Sequence, residues 1–103
     1  MVKSLDSKNF KDNISNGVTL VDFYADWCMP CKMLSPAISK LAEDFNGKIN
    51  VCKINVDSAP EIAVEYSVMS IPTVILFKDG KVAEKNIGLV GKEVLEGMVK
   101  KAL

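Results

Sequence analysis

The run Trp27-Cys28-Met29-Pro30-Cys31 holds the residues of this chain best placed to do chemistry. A thiolate attacks disulfide sulfur readily, and two cysteines separated by two residues lie within disulfide reach across the first turn of a helix. The run follows a short apolar stretch and opens a long amphipathic one. Cys28 is therefore expected at a helix N-terminus, where unpaired backbone N–H groups and the positive end of the helix dipole favour a thiolate. Its pKa is expected below the free value of about 8.5. Cys31, one turn further in, is expected to be better shielded. Pro30 has a fixed φ suited to the first turn and no N–H to leave unpaired. Such a pair supports attack by Cys28 on a disulfide and resolution of the mixed disulfide by Cys31.

Other uses of the pair have to be weighed against this one. Tetrahedral zinc needs four ligands, and a chain without histidine and with one further cysteine, Cys52, cannot close such a site alone. No metal is expected. A purely structural bridge over so short a loop would constrain the unfolded chain little. Cys52, between Val51 and Lys53, reads as a buried apolar filler. The absence of histidine excludes Ser-His-Asp and Cys-His catalysis. All 13 cationic side chains are lysines, so the planar arginine fork that clamps phosphate or carboxylate is missing as well. Any general base near neutral pH has to be a perturbed carboxylate, lysine or thiolate. Asp22 fits, because it stands alone in the apolar stretch Val18 to Ala25, where desolvation raises a carboxyl pKa. The plainer alternative is a carboxylate held by a hydrogen bond or by Lys53.

The elements that must position these residues can be read from the pattern. The chain has 103 residues, enough for one domain, expected to span 1–103. Its 13 cationic side chains balance 13 anionic ones, which offers nucleic acid no basic footprint. No apolar run approaches the roughly 18 residues of a transmembrane helix, and the first ten residues lack the pattern of a signal peptide. A cytoplasmic monomer that binds neither membrane nor nucleic acid is the expectation. Asp6 or Ser7 can cap a helix over 7–15, and Val18 to Ala25 reads as a strand covered on both faces. Apolar residues spaced four apart predict a helix from Cys31 to Phe45, with Pro36 inside it. Ile49 to Val56 is the next strand, joined through that helix as a parallel crossover. Ser58 and Glu61 have capping-box spacing for a helix over 59–66. Asp79-Gly80 predicts a hairpin between strands Thr73–Lys78 and Lys81–Ile87. A last helix carries Val94, Leu95, Met98, Val99 and Ala102.

With these elements in order, the chain closely resembles the thioredoxin family over nearly its whole length. The resemblance is carried by VDFYADWCMPCKMLSP, KINVD and SIPTVILFKDGK, followed by Gly88. It implies an α/β fold with a central mixed sheet flanked by helices on both faces, and a thiol-disulfide oxidoreductase that reduces protein disulfides without a further cofactor. By the same resemblance Cys28 is the nucleophile, Cys31 the resolving thiol, and Asp22 the buried aspartate behind the pair, with Lys53 near it. Pro72 matches the family's cis-proline facing the cysteines. Trp27, Met29, Pro30, Ile71, Gly88 and Leu89 complete a flat apolar surface for substrates. Met29 departs from the family, which usually has glycine there, and enlarges the apolar surface between the cysteines. The implied partners are a flavoprotein thioredoxin reductase and disulfide-containing client proteins. A disulfide oxidant or isomerase on the same fold, and a binding module that does not turn over, are the competing readings.

Overall fold

The computed structural model describes residues 1–103. Its elements in chain order are β1 (Lys3–Leu5), α1 (Phe10–Ile14), β2 (Val18–Tyr24), α2 (Met29–Asp44), β3 (Asn50–Asn55), α3 (Pro60–Glu65), β4 (Thr73–Lys78), β5 (Lys81–Ile87) and α4 (Lys92–Ala102). The strands form one sheet in the order β1-β3-β2-β4-β5. β2 and β3 run parallel, as a strand-helix-strand connection through α2 requires, while β4 pairs antiparallel with both β2 and β5.

Alternation along the central strands sends successive side chains to opposite faces. Val18, Leu20, Val51, Val74 and Leu76 pack under Leu34, Ile38 and Leu41 of α2 and Leu95, Met98 and Val99 of α4. Val21, Phe23, Cys52, Ile54, Ile75 and Phe77 pack on the other face against Phe10 and Ile14 of α1 and Ile62 of α3. Asp22 lies opposite Lys53 in the β2·β3 register and opposite Val74 in β2·β4. It therefore belongs to the α2 face, two positions beyond Leu20, where the apolar ladder stops.

Local chemistry explains most element ends. Asp6 Oδ1 accepts the Lys8 and Asn9 amides, and Asn9 Oδ1 accepts the Asp6 amide, a reciprocal cap that holds a turn ahead of α1. The hairpin turn uses Asp79 at φ 50 and Gly80 at φ 86, the left-handed pair that a two-residue turn between twisted strands needs. Asp79 also exchanges two hydrogen bonds with Gly17, latching this turn to the one before β2.

One strand was missed and three expectations need correction. β1 went unread because three residues with one buried side chain, Leu5, carry no period. The helix over 7–15 shrinks to Phe10–Ile14, its first residues forming the turn capped by Asp6. α2 starts at Met29 rather than Cys31, because its first turn faces solvent and so lacks the apolar signal. The Ser58-Glu61 capping box does not form: Ala59 is the N-cap of α3, without a side-chain bond, and Glu61 accepts the Ser7 hydroxyl instead.

Candidate active site

Cys28 and Cys31 are joined by a disulfide, with Cα atoms 5.3 Å apart. Cys28 is the N-cap of α2, and its Sγ accepts the Cys31 amide at 3.2 Å. Sulfur thus occupies the place where a helix start offers an unpaired N–H, with Pro30 in the first turn as its fixed φ allows. The expected difference in shielding is absent. Both cysteines are only 4% exposed, because Ala25, Tyr24, Val56 and Ile71 pack around the pair. Cys28 Sγ lies 3.8 Å from the Ile71 carbonyl oxygen.

That contact brings in the loop ahead of β4. The Ile71–Pro72 peptide is cis, and the Pro72 carbonyl accepts the Gly88 amide at 2.8 Å. Gly88 adopts φ 96, a left-handed conformation in which a side chain would be strained. Ile71, Pro72 and Gly88 therefore meet beside Cys28, with Leu89 exposed one residue further on. Next to Cys28 in the chain, Trp27 is 71% exposed and its indole Nε1–H donates to Asp57 Oδ2 at 2.8 Å. Exposed Met29 and Pro30 lie between the cysteines in the chain. An apolar rim thus surrounds a nearly buried sulfur pair.

Behind the pair is a cleft of about 360 Å³. Asp22 and Cys31 both line it, together with Lys53, Tyr24, Asp26, Lys32 and Ser35. Asp22 is 4% exposed, and its Oδ1 has no hydrogen-bond partner. Burial pushes its pKa up to about 6, against a smaller downward pull from Lys53. The desolvation reading of Asp22 thus outweighs the salt-bridged one, and the pair closes no direct ion bridge. Lys53 Nζ sits instead over the Tyr24 ring, 5.5 Å from its centroid.

A carboxyl whose pKa burial pushes up to about 6 thus shares one cleft with a cysteine of a helix-capping disulfide, the pair whose chemistry is thiol-disulfide exchange. The thioredoxin family profile matches residues 1–101. The chain belongs to the thioredoxin family. A thioredoxin of Staphylococcus saprophyticus is 50% identical over 103 residues, covering 100% of this chain and 98% of that protein. One from Chlamydia trachomatis is 46% identical over 101 residues, with 98% of each covered. A solved structure of a mutant thioredoxin from Halobacterium salinarum superimposes with a TM-score of 0.90 at 37% identity, covering 97% of this chain and 88% of that one. Thioredoxins are protein disulfide oxidoreductases, and the Cys28-Cys31 pair supplies this chain's redox centre.

Sequence reasoning missed Tyr24, Asp26, Lys32 and Ser35 as cleft walls and Asp57 as the partner of Trp27. Tyr24 could have been found, since it follows Asp22 by two positions in a strand and must share its face. Asp57 lies in a turn, and no periodicity points to it.

Proposed function

We propose that this chain acts as a cytoplasmic reductant of protein disulfides, as one domain over 1–103 and as a monomer. In this reading Cys28 thiolate attacks a client disulfide, forming a Cys28–client bond and releasing the first client thiolate. Asp22 carboxylate takes the Cys31 proton across the cleft, and the resulting Cys31 thiolate attacks Cys28 Sγ. The second client thiolate leaves, and the Cys28–Cys31 disulfide remains. Two electrons from a flavoprotein thioredoxin reductase then restore the dithiol. Trp27, Met29, Pro30, Ile71, Pro72, Gly88 and Leu89 form the surface on which client and reductase dock, with Met29 tuning partner choice.

The observation that carries the division of labour is the Cys31 amide on Cys28 Sγ, since a backbone N–H aimed at one sulfur stabilises negative charge on that sulfur. Cytoplasm is supported by Cys52, which is left free and makes no disulfide. No helix is long and apolar enough to cross a membrane.

Equilibration of the dithiol with glutathione buffers, combined with turnover of insulin disulfides, tests the reductant reading. A potential near the value of about −270 mV typical of thioredoxin is expected, with insulin reduced. A potential near about −120 mV would make the protein an oxidant. Persistence of biological activity after serine replacement of both cysteines would reduce it to a binding module.

A further inference from the structure

Lys53 is poised next to Asp22 without touching it. The two are register partners in β2·β3, and Tyr24 is two positions beyond Asp22, so all three side chains leave the same face of the sheet. A lysine free to reach down would pair with the unpartnered Asp22 Oδ1. The Tyr24 ring face, 5.5 Å from Nζ, offers the ammonium an alternative seat at the mouth of the cleft. Tyr24 is half-buried, and burial, then Asp26 and Asp22, push its phenol pKa upward, so the ring stays neutral.

We propose that Tyr24 is a positioning residue whose ring holds the Lys53 ammonium at the cleft mouth, fixing how much positive charge Asp22 meets and keeping Oδ1 open. The inference rests on the reading of Asp22 as the group that takes the Cys31 proton. The other ionisable groups lining the cleft are Asp26 after β2 and Cys31 and Lys32 on α2. β4 faces Asp22 with Val74 alone. Held on the ring, Lys53 lowers the proton affinity of Asp22 through space while burial raises it. The carboxyl is then neither locked as a carboxylate nor left to burial alone.

Carbon-13 NMR titration of the Asp22 carboxyl in the full-length reduced protein tests this, in the parent, Tyr24→Leu, Lys53→Met and the double variant. Removing the ring both frees Lys53 and admits water, and the double-mutant cycle separates the two effects. Tyr24→Leu is expected to move the Asp22 midpoint further downward in the parent than in the Lys53→Met background, whereas equal shifts in both overturn the proposal. Should Tyr24→Leu fail to fold, the Lys53 Cε protons decide. They are expected upfield of ordinary lysine in the parent and in Tyr24→Phe, and an unshifted position in the parent overturns the seat on the ring. The pH dependence of mixed-disulfide resolution separates the two claims. If it ignores the Asp22 midpoint while the cycle shows coupling, the proton-transfer reading falls and the positioning by Tyr24 stands.

Discussion

The two faces of the central sheet use the same strands to opposite ends. On the α1 and α3 side the ladder is apolar apart from buried Thr19 and Thr73, whose hydroxyls donate to the Asn13 and Ser70 carbonyls, and Phe10, Tyr66 and Phe77 add a largely edge-to-face aromatic cluster with ring centroids 5.2 to 5.9 Å apart. Its cysteine, Cys52, is 2% exposed and burial pushes its thiol pKa up. On the α2 and α4 side the ladder breaks at Asp22 and Lys53, a cleft opens, and the helix above it begins on a sulfur. All three cysteines are nearly buried, so exposure does not distinguish the redox pair from the free thiol. A helix N–H directed at sulfur and a titratable carboxyl in the same cleft do.

The largest effects should come from the sulfurs themselves. Cys28→Ser is expected to abolish insulin reduction, and Cys31→Ser to accumulate mixed disulfides that persist for lack of a resolving thiol. Brief alkylation of the reduced protein at neutral pH, read by mass spectrometry, should label Cys28 first. First labelling at Cys52 would erase the contrast between the faces, and first labelling at Cys31 would reverse the roles within the pair. Because Cys28 and Cys31 are equally covered, selectivity here reports thiolate character rather than access.

Next in size is the energetic cost of the break in the ladder. Asp22 binds its proton more tightly folded than unfolded, since burial lifts its pKa from 3.8 to about 6. Between those values the native state carries more protons, so stability falls as pH climbs and levels off above the folded pKa. The gap corresponds to about 3 kcal/mol at pH 8 and vanishes below the unfolded pKa. Asp22→Ala should therefore be the more stable protein at pH 8, by up to about 3 kcal/mol less the cost of a small cavity, and the less stable one near pH 3. Resolution of mixed disulfides should slow while attack by Cys28 changes less. Denaturant midpoints at the two pH values and single-turnover kinetics check both halves. A variant less stable than the parent at pH 8 that resolves at the parental rate would make Asp22 a structural anchor.

The sequence made this contrast partly visible. Alternation and apolar runs located the four longer strands to within a residue or so, and the break at Asp22 was plain because a lone carboxylate in VTLVDFYA has no other reading than burial or pairing. Spacing placed the cysteines at a helix start, and Pro30 fitted its first turn. Hidden features depended on contacts between distant segments. The Ile71 carbonyl beside Cys28 equalises the burial of the two cysteines, and only the fold brings residue 71 to residue 28. Asp57 under Trp27 and the seat of Lys53 on Tyr24 are likewise tertiary. The capping box at Ser58 failed for a local reason, as the Asn55 carbonyl takes the Ser58 and Ala59 amides and sets a different turn into α3.

The smallest effect sharpens the comparison from the dry face. Cys52 packs among Leu5, Phe10, Ile14 and Ile54 and makes no disulfide. Cys52→Ala should keep full insulin-reducing activity and lose about 1 kcal/mol at pH 7, the scale of removing one buried heavy atom. Its pH dependence follows from the raised thiol pKa, caused by burial and only partly offset by Lys3. A folded thiol that holds its proton above the unfolded pKa of about 8.5 makes the parent lose stability as pH rises beyond that value. Cys52→Ala has no such group, so the deficit seen at pH 7 should shrink by pH 10. Parallel denaturant curves at the two pH values measure it. A deficit that stays constant would mean that Cys52 ionises as freely folded as unfolded, and a large loss of turnover in the folded variant would give this face a part in the chemistry. Either outcome would undo the separation of one reactive face from one inert one.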